Sequence, residues 1–134
     1  MLNKPHGIFI DINFNLYVAD CGNNRIQRFE LGQKTGTTVV NNILNCPTGV
    51  ILDSDNNLYI VDHFNRIVRS RESIFECLVG CTNEPGSTSS TLDNPFSLAF
   101  DSYGNIFVTD VKNNRIQKFT LISNSCSKYL YGKY

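Results

Sequence analysis

The sequence has no surplus of either charge: 12 Lys and Arg balance 12 Asp and Glu over 134 residues. A strong electrostatic grip on nucleic acid or on an anionic membrane needs a basic excess, so nucleic acid is not an expected partner. Only 18% of residues are charged, which is low for a disordered chain, and 41% are hydrophobic, which is enough for a core. No apolar run approaches the roughly 20 residues that cross a bilayer, so no membrane span is expected. The opening residues MLNKPHGIFIDINF lack a long apolar h-region and a small-residue cleavage site, and read as no signal peptide. Chemistry-bearing motifs are equally scarce. There is no Gly-rich phosphate loop, nucleophile elbow or Cys/His catalytic pairing. The two histidines are His6 and His63, and zinc needs at least three protein ligands. No catalytic residue, metal or cofactor is therefore expected.

What the chain does have is one phrase written three times. Residues 5–29 read PHGIFIDINFNLYVADCGNNRIQRF, residues 47–70 PTGVILDSDNNLYIVDHFNRIVRS, and residues 95–119 PFSLAFDSYGNIFVTDVKNNRIQKF. Pro5, Pro47 and Pro95 lie 42 and 48 residues apart, and copies one and three agree at 11 of 25 positions without a gap. Repeats of this length indicate a solenoid or a propeller.

Each copy divides into short strands. The first runs Gly7–Asp11, Val50–Asp53 and Leu98–Asp101, and the second Leu16–Asp20, Leu58–Asp62 and Ile106–Asp110. Both are apolar on two faces, as strands buried on two sides should be. Asn- and Gly-rich turns join them. The third strand starts at Arg25, Arg66 and Arg115; Ile26, Ile67 and Ile116 point one way, with Gln27, Val68 and Gln117 opposite, a half-buried pattern. Weaker fourth strands are expected at Thr37–Val40, Ile74–Val79 and Lys128–Tyr131. The reading is thus all-β: three units of four antiparallel strands, with burial falling from the first strand to the fourth. Residues 80–94 read as a flexible connector.

Recurring Asp20/Arg25, Asp62/Arg66 and Asp110/Arg115 sit at the two ends of one loop. A catalytic group is needed once, whereas these recur in every unit, so Asp20, Asp62 and Asp110 read as structural. Asp11, Asp53 and Asp101 read as turn residues by the same argument. The loops between second and third strands share one rim. Candidate binding residues there are Cys21, Asn23, Asn24 and Arg25; His63, Phe64, Asn65 and Arg66; and Lys112, Asn113, Asn114 and Arg115. Non-repeating Cys21, Gly22, His63, Phe64, Val111 and Lys112 are the better ones. Phe64 is an apolar group at an expected exposed tip, where aromatics anchor partners.

The five cysteines are Cys21, Cys46, Cys77, Cys81 and Cys126. The odd count leaves at least one outside any internal pairing. They read either as small buried hydrophobes or as disulfide members, with Cys46, Cys77 and Cys81 the first candidates. Cysteine use leans toward an extracellular setting; nothing else bears on compartment.

The pattern carried by Pro5, Gly7, Asp11, Asn15, Tyr17, Val18, Asp20, Asn23, Asn24, Arg25, Ile26, Gln27 and Phe29 resembles the NHL repeat. Ser97 departs from the Gly of Gly7 and Gly49, and the second copy is one loop residue shorter and has Ser70 in place of Phe29 and Phe119. The resemblance implies a partial β-propeller of three four-stranded blades, at about 5–44, 45–80 and 95–134 with a connector at about 81–94, which is about half of the family's common six-bladed ring. Such a piece leaves two open faces. It implies a segment of a longer protein, two copies self-associating to complete the propeller, or a curved open stack. The expected function is a non-catalytic interaction module binding a protein partner through its rim. The resemblance also implies two alternatives: the substrate-recognition part of an NHL-containing ubiquitin ligase whose RING part lies elsewhere, or a fragment of a six-bladed lyase or lactonase.

Overall fold

A computed structural model of the chain describes residues 1–71, 74–121 and 130–132. Among the described residues, twelve strands form three separate four-stranded antiparallel sheets, each in chain order. Sheet 1 holds β1 (Pro5–Ile10), β2 (Leu16–Asp20), β3 (Arg25–Phe29) and β4 (Thr37–Val40). Sheet 2 holds β5 (Pro47–Leu52), β6 (Leu58–Asp62), β7 (Arg66–Arg71) and β8 (Ile74–Val79). Sheet 3 holds β9 (Pro95–Phe100), β10 (Ile106–Asp110), β11 (Arg115–Leu121) and β12 (Leu130–Gly132). The all-β reading is met. Of the expected last strand, Lys128 and Tyr129 lie outside the described residues, as does Cys126.

The turns between first and second strands explain why each phrase folds alike. In all three, the Asp carboxylate closes the turn on itself. One oxygen accepts the backbone N–H of Asn15, Asn57 or Asn105 at 2.8–2.9 Å, and the other accepts that residue's side-chain amide at 2.7–2.9 Å. A short acceptor that bonds its own backbone fixes a tight turn without help from the rest of the fold.

The sheets stack face to face around two cores. Between sheets 1 and 2 lie Tyr17, Ala19 and Ile26 against Val50, Leu58 and Ile60. Between sheets 2 and 3 lie Tyr59, Val61 and Ile67 against Leu98, Ile106, Val108 and Phe119. Because successive side chains of a strand point to opposite faces, Tyr59 and Ile60 serve different cores. Gly7 is needed where the first strands of sheets 1 and 2 come together, since a Cβ there would sit 2.7 Å from the Thr48 carbonyl oxygen.

Two expectations about burial are corrected. Burial does not fall from the first strand outward: β1 is the most exposed strand of sheet 1, while β2 is almost wholly buried. β2 has a strand on each side, β1 and β3, whereas β1 lies at its sheet's edge, with one face toward sheet 2 and the other open. Nor are the third strands uniformly half-buried, for β3 buries both Ile26 and Gln27, and β7 both Ile67 and Val68.

The connector is corrected too. It is tied to sheet 3 rather than free: Leu92 is fully buried, Gly80 N–H donates to the Ser90 carbonyl and Gly86 N–H to that of Leu92.

Candidate functional site

The loops after the second strands gather along one rim. In sheets 1 and 3 they make a short 3-10 turn, Cys21–Asn23 and Val111–Asn113, ended by Asn24 and Asn114 in the left-handed conformation. Asn65 takes the same conformation, φ 60°, in the shorter loop of sheet 2. Asn adopts this backbone more readily than most residues, which accounts for its recurrence directly before each Arg.

Behind the loops lies a repeated carboxylate site. Asp20, Asp62 and Asp110 are fully buried. One oxygen of each accepts the backbone N–H of Asn3, Asn45 or Asp93, 2.7 Å away in all three. The other accepts the Nε of Arg25, Arg66 or Arg115, again at 2.7 Å. Each Arg then reaches back to the segment that enters its own sheet. Arg25 donates to the Met1 carbonyl, Arg66 to that of Ile43, and Arg115 to those of Ser87, Thr88 and Thr91. Asp and Arg together therefore pin the entry to the first strand onto the end of the second, which is the physical content of the recurring pair. A buried charge of this sort holds only when paired and hydrogen-bonded.

Surroundings nevertheless separate the three carboxyls. Burial pushes Asp20 and Asp110 up, but their hydrogen bonds outweigh it and hold both below the ordinary carboxylate value. At Asp62, in the central sheet, burial prevails over Arg66 and the Asn45 N–H and raises the group.

A second device joins neighbouring sheets. The side-chain oxygen of Asn24 accepts the backbone N–H of Cys46, and that of Asn65 accepts the N–H of Asn94, both at 2.8 Å. Each donor is the residue directly before the proline of the next sheet. The Cys21–Cys46 disulfide crosses the same seam between sheets 1 and 2, and a second disulfide joins Cys77 and Cys81. Sequence reasoning missed the donors Asn3, Asn45 and Asp93, because their side-chain types differ and only their backbone acts. The signal available was position, two residues ahead of each proline.

Few of the candidate rim residues remain exposed and uncommitted. Cys21, expected on the open rim, is buried and held in the disulfide. Asn24 and Asn65 spend their side-chain oxygens in the seams, and Asn23 and Asn113 donate to Asp20 and Asp110. The three arginines are engaged as described. His63 is exposed, Phe64 and Val111 are nearly half exposed, and Lys112 projects outward with its ammonium 3.5 Å from Asp93. His6 lies on β1, its ring 5.8 Å from that of Phe96 on β9. Its nitrogen comes within 4.8 Å of the sulfurs of Cys21 and Cys46, both of which are spent in the disulfide. Among the described residues no helix is long and apolar enough to cross a membrane.

Solved structures share this arrangement. A virginiamycin B lyase from Staphylococcus aureus superposes with a TM-score of 0.67 at 19% identity, over 87% of this chain and 38% of the other. A gluconolactonase from Xanthomonas campestris gives 0.67 at 19% identity, over 82% of this chain and 36% of the other. A chain of the nidogen–laminin complex gives 0.73 at 23% identity, over 97% of this chain and 51% of the other. The chain thus spans between about a third and about half of their lengths. At such identities the likeness is one of fold. No curated protein matches the sequence. The NHL repeat model matches residues 2–29 and 92–119, which are β1 to β3 and β9 to most of β11, each with its entry segment; the fourth strands and the shorter middle copy fall outside it. Over these two stretches the chain is similar to the NHL repeat.

Proposed function

We propose that the three sheets are blades of a β-propeller and that the chain is a non-catalytic module which binds a protein partner through its loop rim. The observation that carries this reading is the division of labour in the rim. Apart from Asn114, the repeated polar residues are consumed within and between the blades, while of the side chains that differ between copies His63, Phe64, Val111 and Lys112 project into solvent. A surface whose framework repeats and whose exposed tips vary suits recognition of one particular partner. Two half-exposed apolar side chains, Phe64 and Val111, against the one Lys of this set, Lys112, have the composition of a protein contact rather than of a polyanion groove. The guanidinium groups that a nucleic acid would need are already occupied by carboxylate and carbonyl oxygens. The nidogen–laminin neighbour comes from a protein complex, which accords with this reading.

The test is capture on immobilised chain from an extracellular extract, with a Phe64→Ala, Val111→Ser variant beside it. The reading expects a protein retained by the parent and released by the variant at unchanged stability. Equal retention by both would refute rim recognition.

A further inference from the structure

The two seams inside the molecule are built alike, and the two ends of the stack carry the separated halves of a third. On the side facing the next sheet, Ile26 and Ile67 are fully buried, but the equivalent Ile116 of sheet 3 is 52% exposed. On the side facing the previous sheet, Val50 and Leu98 are 2% and 7% exposed, but the equivalent Ile8 of sheet 1 is 63% exposed, with Ile10 beside it at 58%. The polar clasp is split in the same way. Asn114 has the left-handed backbone of Asn24 and Asn65, yet among the described residues its side chain has no hydrogen-bond donor. At the opposite end Lys4 precedes Pro5 with φ 46°, close to 52° at Cys46 and 56° at Asn94, and among the described residues its N–H has no acceptor. One end offers the acceptor, the other the donor, and each is flanked by a bare apolar face.

From this we infer that a second copy of the chain closes on the first, sheet 3 of each against sheet 1 of the other, with Asn114 of each copy accepting the Lys4 N–H of the other. Size favours a second copy as the occupant. This chain matches structures of the same fold over 36–51% of their length, so two copies amount to between about seven tenths and the whole of one of those chains. With no net charge, the copies do not repel one another at long range. Two identical head-to-tail contacts related by a half-turn form a closed assembly rather than a filament. Ser97 stands where the two inner seams have glycine; its Cβ fits a third seam spaced like that at Gly49, where an added Cβ meets nothing nearer than 3.3 Å, but not one as close as that at Gly7, where it would lie 2.7 Å from a carbonyl oxygen. The inference rests on the repeated seams and is independent of rim recognition.

The experiment is sedimentation equilibrium of the full chain over a concentration series, with two variants. The parent is expected to form a species of twice the chain mass. Asn114→Gly keeps the left-handed backbone available and removes one acceptor from each seam, which should raise the dissociation constant about tenfold to thirtyfold. Ile116→Glu places a carboxylate on the apolar face and should abolish the dimer, with the far-ultraviolet circular dichroism of the chain retained. A parent that stays monomeric, that forms larger open assemblies, or whose dimer survives both variants would overturn the proposal.

Discussion

The middle sheet and the outer two are written in nearly the same words but live in different surroundings. Sheet 2 has a neighbour on both sides, and β6 is buried along its whole length. Sheets 1 and 3 have one neighbour each, so equivalent side chains at Ile8 and Ile116 lie in the open. Similarity of phrase therefore specifies a strand and the direction of its side chains, but not what covers them. The same contrast reaches the electrostatics: Asp20 and Asp110, which also accept the side-chain amides of Asn23 and Asn113, lie below the ordinary value, while the more deeply buried Asp62, with no such amide among the described residues, lies above it.

The largest effect should come from breaking the carboxylate site. Asp62→Ala strands Arg66 and the Asn45 N–H and should cost about 3–5 kcal/mol, measured by urea unfolding; a loss below about 1 kcal/mol would deny the site its structural role. Removal of the disulfide across the first seam comes next. Its sequence separation of 25 against 4 for Cys77–Cys81 implies losses of about 3.5 and 2 kcal/mol by the chain-entropy relation. Double Cys→Ala variants compared in the same assay should keep that order, and the reverse order would mean the seam is held without the bond. Third, Ile67→Ala should cost about 3 kcal/mol and Ile116→Ala less than about 1 kcal/mol in the dissociated chain, which sets the buried copy of one position against the exposed copy. Equal losses would erase the contrast between middle and outer sheets.

A smaller effect concerns acid. The lowered Asp20 and Asp110 contribute stability that is present above their unfolded-state value and is lost as the pH falls through their folded values. The raised Asp62 works in the opposite sense: its contribution is present below the unfolded-state value and is lost as the pH rises through its folded value. Between pH 6 and pH 2, about the range in which carboxylates titrate, the parent should therefore lose stability. Asp110→Asn should flatten that loss, while Asp62→Asn should not. Flattening by Asp62→Asn alone would reverse the assignment. The smallest effect is Phe64→Ala, expected within about 0.5 kcal/mol of parent stability because the side chain is nearly half exposed; thermal unfolding checks it.

Much of this architecture was legible in the sequence. Strands β2, β3, β4, β6, β8 and β10 coincide with the segments expected from apolar pattern and turn residues. Both faces of Leu58–Asp62 are apolar because two cores need them, and the Asn after each Asp turn marks a self-closing loop. What was hidden depends on groups that composition does not display. The donors at Asn3, Asn45 and Asp93 are backbone N–H groups, and the Asn24 and Asn65 clasps join residues more than 20 positions apart. The exposure of β1 could not be read from PHGIFI, because its apolar residues match those of the buried PTGVIL. The connector looked free because Ser, Thr and Gly dominate it; what ties it down is the burial of Leu92 and the donation of Arg115, Gln117 and Asn113 to its carbonyls.

The claim beneath all of this is that one carboxylate site, repeated three times, pins the entry of each sheet to its second strand. Amide hydrogen exchange at Asn3, Asn45 and Asp93 tests it most directly, since each N–H points at a buried carboxylate 2.7 Å away. The account predicts that all three exchange far more slowly than the neighbouring exposed loop amides. Exchange at the rate of an unstructured chain at any of the three would contradict it.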